Sequence, residues 1–353
     1  MKFNIKYIYT MNKLQKIVSP DKLALIEPIM NKYPKYKNQI IDFILVHHSK
    51  LILNKKVNYS RFFVKVNNYK FSDDVSKILG IVFPKYDFTN EVGIFGKCSE
   101  NKSLINSTVD EIKTNGFCKF GVVLDNDTCD KIINSLSPLN YVTHQKGKIT
   151  GINLENPIST SHWVKDQKDI VNIKEVQQII TDPTILSICQ QYLDTIPIIF
   201  QTNSWWSCKY NIKDGTHSFH QDFEDIKFIK IFLYLNDINN DNGPHVYAKK
   251  SRNNLKLPNN KYKASTRVTD KFVSNNYEVN EITGKKGTLL FVDTNGFHKG
   301  KKLTNGHRIL VQLEYGASCM YEQISIPKHK VNHTSNEVKN FMNKYDKVYH
   351  KYN

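Results

Sequence analysis

The sequence predicts a mainly β core, a sandwich or jelly roll, with α-helical flanks and a helical N-terminal region before it. Two observations carry the core. From Ile198 onward, segments such as "IIFQTNSWW", "FIKIFLYL", "KGTLLFV" and "HRILVQLEYG" are short, rich in β-branched and aromatic residues, and separated by Asn, Asp and Gly turns. No helical pattern intervenes among them, which points to a sandwich or jelly roll. A third observation carries the flanks: before Ile198, the cap residues and first-turn prolines are those of helices.

In chain order, Ser19-Pro20 supplies an N-cap and a first-turn proline, and Ile40, Ile41, Ile44, His48 and Leu51 recur at helical spacing. Pro28 and Pro34 interrupt that pattern, and the sequence up to about Lys102 is poorly patterned. Residues 1–105 are therefore read as a helical N-terminal region whose role the sequence does not give. A second unit, 106–330, opens with a helix in "TVDEIKTNGF", with a capping box from Thr108 to Glu111 and a stop at Gly116. "FCKFGVVL" reads as a strand, "DNDTCDKIINSL" as a capped helix, and "DPTILSICQQYL" as a helix capped by Asp182 with Pro183 in its first turn. The tail, 331–353, reads as one amphipathic helix around "HTSNEVKNFMNKYDKVY".

The chain has 353 residues, enough for a large domain with a catalytic pocket and a smaller partner. Lys and Arg total 50 against 33 Asp and Glu, a net charge of +17 with a pI near 9.3. This suits an anionic partner, but the basic residues are scattered and mostly lysines beside asparagines. Without an arginine-rich or aromatic-basic module, nucleic acid is a weak candidate. The Asn- and Lys-rich composition points to an AT-rich source such as a large DNA virus or a protist. Six cysteines without a CxxC pair argue against a zinc ribbon or a disulfide scaffold. No signal peptide or membrane-length apolar run is visible, so the expectation is a soluble protein of a reducing, cytoplasmic compartment.

The stretch "THSFHQDFED" concentrates two histidines and three carboxylates. On a strand, His220 and Asp222 project from one face while Gln221 and His217 point to the other. His298, after the apolar strand "TLLFV", supplies a third ligand. Two imidazoles and one carboxylate leave open positions and suit non-haem Fe(II). Arg308, ten residues further on, offers two-point recognition of a carboxylate. The alternative partner for Arg308 is a structural carboxylate such as Glu314. His217, Glu224 and Asp225 recede to the flank with Asp214, and His245 and His307 are read as solvated or as supporting the site from behind. His47-His48 reads as helix packing. Of Trp205 and Trp206, one faces the core and the other is free to line a substrate channel.

The ordered set His220-x-Asp222, "NDNGP" at Asn240 to Pro244, "GTLLFVDTNGFHKG" and Arg308 resembles the phytanoyl-CoA dioxygenase branch of the Fe(II)/2-oxoglutarate oxygenases. "EIKTNGFCKFGVVLDNDTCDKIINSL" is similar to the helix, strand and helix that introduce the core of that family, so the resemblance spans about Thr108 to Gly316. It implies a double-stranded β-helix, cupin-like, with His220, Asp222 and His298 binding iron and acting as the catalytic centre. It also implies that Arg308 holds the C5 carboxylate of 2-oxoglutarate, that Gln201 makes a further polar contact to this co-substrate, and that O2 is consumed. Retention of Asp222 implies hydroxylation over halogenation. Two departures are "VYAKKSRN" where many members read "PGSH", and Gly300 where some relatives place a hydroxyl.

The loop 249–267 carries Lys249, Lys250, Arg252, Lys256, Lys261, Lys263 and Arg267, which suggests a small anionic substrate at the pocket mouth. Two other classes compete: a cupin-type metal-dependent hydrolase or isomerase, which gives Arg308 no co-substrate to hold, and a non-catalytic basic binding protein on the same fold.

Overall fold

A computed structural model describes residues 11–53, 69–143, 148–151, 162–209, 217–257, 267–318 and 329–352. The helices are α1 (Pro20–Asn31), α2 (Lys37–Leu53), α3 (Tyr69–Val82), α4 (Lys102–Asn115), α5 (Asn126–Leu136), α6 (Gln167–Val171), α7 (Lys174–Ile180), α8 (Pro183–Leu193), α9 (Asp270–Asn276) and α10 (Asn336–Lys344). The strands of the core are β1 (Phe117–Val122), β2 (Asn140–Thr143), β3 (Lys148–Thr150), β4 (His162–Val164), β5 (Ile198–Cys208), β6 (Phe228–Tyr234), β7 (His245–Ala248), β8 (Val279–Ile282), β9 (Thr288–Val292), β10 (His298–Gly300) and β11 (His307–Gly316). A short hairpin, Val92–Gly93 with Gly96–Lys97, precedes them.

One sheet has eight antiparallel strands in the order β1-β9-β6-β11-β5-β4-β2-β3, and a smaller one has the order β8-β7-β10. The small sheet is extended by the bridge between His220 and His298. From β5 to β11 the chain therefore passes repeatedly between the two sheets: β5, β6, β9 and β11 lie in the large one, and the His220 bridge, β7, β8 and β10 in the small one. This alternation makes the core a double-stranded β-helix. The outer face of the large sheet is dry: apolar side chains of α1 to α3, the sheet and the C-terminal tail through Tyr352 form one continuous cluster.

Local rules explain most of the boundaries. Asp125 caps α5 through Thr128 N at 2.7 Å, and Asp182 caps α8 through Thr184 N and Ile185 N, each at 2.9 Å. Two expectations shift. Thr108 is not a cap but a buried residue inside α4, which begins at Lys102, and Ser19 makes no side-chain cap to α1. The tail helix α10 ends at Lys344, and the residues after it run through turns.

Gly116 ends α4 with φ +91°, and a Cβ there would stand 2.2 Å from Tyr247 Oη. Left-handed backbone and collision act together, so Gly116→Ala should cost roughly 2 kcal/mol or more in urea unfolding.

Candidate metal centre and its cavity

His220 and His298 are held opposite each other by reciprocal backbone bonds, N to O, of 3.0 Å in both directions. The strand geometry assumed for His220 and Asp222 is reduced to isolated bridges at Phe219 and His220, and Asp222 is fixed separately: its N–H bonds Thr294 O at 2.9 Å, and Asn295 Nδ2 donates to its carbonyl at 2.8 Å. The two-residue spacing nevertheless brings both side chains to one spot. His220 Nε2 lies 3.7 Å from Asp222 Oδ1, and His298 Nε2 lies 3.2 Å from Asp222 Oδ2. Ligand atoms of His220, Asp222 and His298 all fall within 4.8 Å of one another, a spacing that can hold one metal ion.

The protonation pattern fits such an ion. His220 Nδ1 faces Ser218 O at 2.9 Å and His298 Nδ1 faces Gly296 O at 3.0 Å. A carbonyl only accepts, so each Nδ1 carries a proton, which leaves Nε2 as the nitrogen each ring turns toward Asp222. Burial and the neighbouring His298 lower the His220 pKa to about 3, which keeps that ring neutral. Burial would raise the Asp222 carboxyl, but Lys230 and His298 hold it well below the usual carboxylate range.

The triad opens into a cavity of about 410 Å³ whose floor is the inner face of the large sheet. Alternation along three paired strands builds that floor. Arg308 faces Ser207 in register, Leu310 faces Trp205 and Tyr234, Gln312 faces Phe232, and Glu314 faces Gln201 and Lys230. Arg308 donates to Gly243 O and, at 3.3 Å, to Ser207 Oγ. A Cβ at Gly300 would come within 3.4 Å of Arg308 Nη1, so the glycine leaves room beside the guanidinium.

Gln201, expected as a contact of the co-substrate, lies six residues along β5 from the partner of Arg308, about 20 Å of strand. It belongs to the other end of the floor. Glu314 is there too, and it pairs with Lys230 at 3.3 Å. Trp205 lines the cavity while Trp206 is buried in the core. His47 is buried with its ring edge-on to Phe83 at 4.8 Å, so it packs as expected.

Lys230 went unread in the sequence, Glu224 was set to the flank, and His245 was left between a solvated and a supporting role. Lys230, in the middle of "FIKIFLYL", is buried and surrounded by carboxylates: Asp222 Oδ2 and Glu224 Oε2 at 3.0 Å each, and Glu314 Oε1 at 3.3 Å. Burial alone would lower its pKa, but the three carboxylates raise it well above the usual value. Glu224, set aside as flank, is a wall residue, and burial with Glu314 beside it pushes its carboxyl well above the usual range. His245 is buried and stacks on His298, centroids 5.5 Å apart. The signal for Lys230 was available: a charge inside an apolar strand requires a buried counter-charge. Asp225 does recede, accepting from Ser318 N at 2.8 Å, and His217 bonds Gly300 O at 3.0 Å.

The basic loop does not line the mouth as a unit. Arg252 turns inward, with Nη2 at 2.7 Å from Asp73 and Nε at 2.6 Å from Asp293. Lys249 pairs with Glu278 at 3.5 Å, while Arg267 lines the cavity. Lys261 and Lys263 lie outside the described residues.

Residues 112–309 match the phytanoyl-CoA dioxygenase (PhyH) family. The chain belongs to the phytanoyl-CoA dioxygenase family. Its enzymes are oxygenases that use Fe(II), 2-oxoglutarate and O2, and this PhyH protein is one of them. Its PhyH region takes in β1 to β10 and reaches the first residues of β11, including Arg308.

Among solved structures, the chain is similar to the epimerase SnoN in complex with Fe3+, alpha ketoglutarate and nogalamycin RO, at 13% identity and TM-score 0.46, over 60% of this chain and 83% of that one. It is also similar to HygX from Streptomyces hygroscopicus with nickel, 2-oxoglutarate and hygromycin B bound (14% identity, TM-score 0.43, 60% and 86% covered). A third is EctD from S. alaskensis with bound Fe (14%, 0.44, 61% and 84%). No curated protein matches the sequence. Among the described residues, no helix is long and apolar enough to cross a membrane.

Proposed function

We propose that this PhyH protein hydroxylates an unactivated C–H bond of a small metabolite, converting 2-oxoglutarate and O2 to succinate and CO2 with one oxygen atom passed to the substrate. The observation that carries this reading is the convergence of His220 Nε2, His298 Nε2 and Asp222 on one side of a cavity that also contains Arg308. In this reading the three side chains hold Fe(II), and Arg308 pairs with the distal carboxylate of 2-oxoglutarate. Iron held there would supply O2 activation coupled to decarboxylation of the co-substrate.

The protein's own part is orientation and exclusion of water. The Nδ1–carbonyl bonds fix both rings, Lys230 anchors Asp222, and Ser207 and Gly243 aim the guanidinium. The anionic character first suggested for the substrate keeps only Arg267 as support on the cavity wall among the described basic residues of the loop.

Anaerobic addition of Fe(II) and 2-oxoglutarate should produce a visible charge-transfer band, and admission of O2 should yield succinate. No band with the intact protein would defeat the reading. Arg308→Ala should raise KM for 2-oxoglutarate roughly 10- to 100-fold, as expected for charge-assisted hydrogen bonds worth about 1.5–3 kcal/mol. An unchanged KM would remove Arg308 from the co-substrate.

A further inference from the structure

The end of the cavity away from Arg308 has hydrogen-bond acceptors left over. Glu314 is wholly buried, and its Oε1 takes Lys230 and the Gln312 amide, while its Oε2 has no hydrogen-bond donor in the described structure. Gln201, the register partner of Glu314 across β5 and β11, has a buried Oε1 that is also without a donor. The carboxyl of Glu224 stands against that of Glu314. Lys230, the lysine lining the cavity at this end, already answers to three carboxylates. Buried acceptors without donors cost about 1–3 kcal/mol each, so this wall is complementary to a group that brings N–H or O–H.

Position and polarity agree. Lys230 touches Asp222 and Glu314 alike, so the unfilled acceptors border the triad. Between this end and Arg308 the floor is Gln312, whose amide is turned to Glu314, and then Phe232, Leu310 and Trp205, a stretch that suits carbon skeleton. A carboxylate or phosphate placed against Glu314 would meet the carboxylate that Lys230 already pairs with, and would find that ammonium engaged. Arg267, which is exposed, offers an anion a contact on the cavity's rim only.

Resting on the oxygenase reading, we propose that the wall formed by Glu314, Gln201 and Glu224 binds the hydrogen-bond-donating head of the prime substrate, an amine or hydroxyl group, and disfavours anionic heads. The carbon bearing that head is then held next to the metal centre.

The test uses the full chain with Fe(II) and 2-oxoglutarate under anaerobic conditions, with the fluorescence of Trp205 and its neighbours as readout. Putrescine, inositol and phosphoglycerate are titrated as amine, hydroxyl and anion probes. A saturable response to putrescine or inositol, about tenfold tighter than to phosphoglycerate, is expected, and the stronger of the two tells amine from hydroxyl. Gln201→Leu should weaken that response about tenfold without lowering Tm, because it removes an acceptor that has no partner in the free protein. Tighter binding of phosphoglycerate, no saturable response to either donor probe, or an unchanged affinity in Gln201→Leu would each overturn the inference. The charge-transfer band, scored in the same samples before the probes are added, tells separately whether the oxygenase reading stands.

Discussion

Asp222→Ala is expected to abolish the Fe(II)/2-oxoglutarate charge-transfer band and to reduce succinate formation at least about a hundredfold, since even partners that merely support metal ligands are worth 10- to 100-fold. Asp222 is the one anionic member of the three-residue cluster. Without it, two imidazoles alone would be left to hold a divalent cation, with no anionic side chain in the cluster. The fold should survive, because the loop at Asp222 is pinned through its backbone, N–H to Thr294 O and C=O from Asn295 Nδ2. Lys230 keeps Glu224 and Glu314 as counter-charges. A near-normal Tm beside a lost band is therefore the expected pair of results, and Asp222→Asn, which keeps shape but not charge, should resemble Asp222→Ala. Retained turnover in either variant would take Asp222 out of the metal centre.

The triad was legible because its information is local and periodic. A two-residue spacing sends His220 and Asp222 to one spot, and an apolar strand ending next to His298 brings in the third side chain; both survive even though pairing at His220 is confined to isolated bridges. Arg308 was legible for the same reason, at the head of an alternating strand. What could not be read depends on pairing across strands. Glu314 looked like a possible partner for Arg308, yet six residues along β11 take it to the other end of the cavity, beside Lys230. Lys230 itself was hidden by a chain with 50 basic residues, in which one more lysine draws no notice. Glu224 was set aside although two-residue alternation carried past Asp222 keeps it on the face of His220 and Asp222, where the cavity wall has it. Loop composition likewise gave no hint that Arg252 turns inward while Arg267 stays at the cavity.

Arg252→Ala should destabilise the protein by about 3–5 kcal/mol in urea unfolding, the usual cost of breaking a buried ion pair from one side. Arg252 is buried and binds Asp293, itself wholly buried, through Nε at 2.6 Å, while Nη1 and Nη2 grip Asp73 of α3 at 2.9 and 2.7 Å. Burial already raises the Asp293 carboxyl, and Arg252 opposes that rise, so removing the guanidinium leaves a carboxylate with the Tyr192 hydroxyl and one backbone N–H. The loss reaches the metal centre by a short path. Asp293 Oδ1 holds Asn295 N at 2.9 Å, and Asn295 Nδ2 holds the carbonyl of Asp222. On the same side, Tyr69 of α3 donates to Asn295 O at 2.9 Å and accepts from Gln221, the residue between His220 and Asp222. Helix α3 thus braces the loop of His220 and Asp222 from behind, and Arg252 is the clamp. Arg252→Ala should therefore weaken Fe(II) affinity as well as lower stability, whereas Lys249→Ala, in the same loop with an exposed partner, should do neither. If Arg252→Ala unfolds at the wild-type urea midpoint, Asp293 is compensated elsewhere and the bracing role of α3 fails with it.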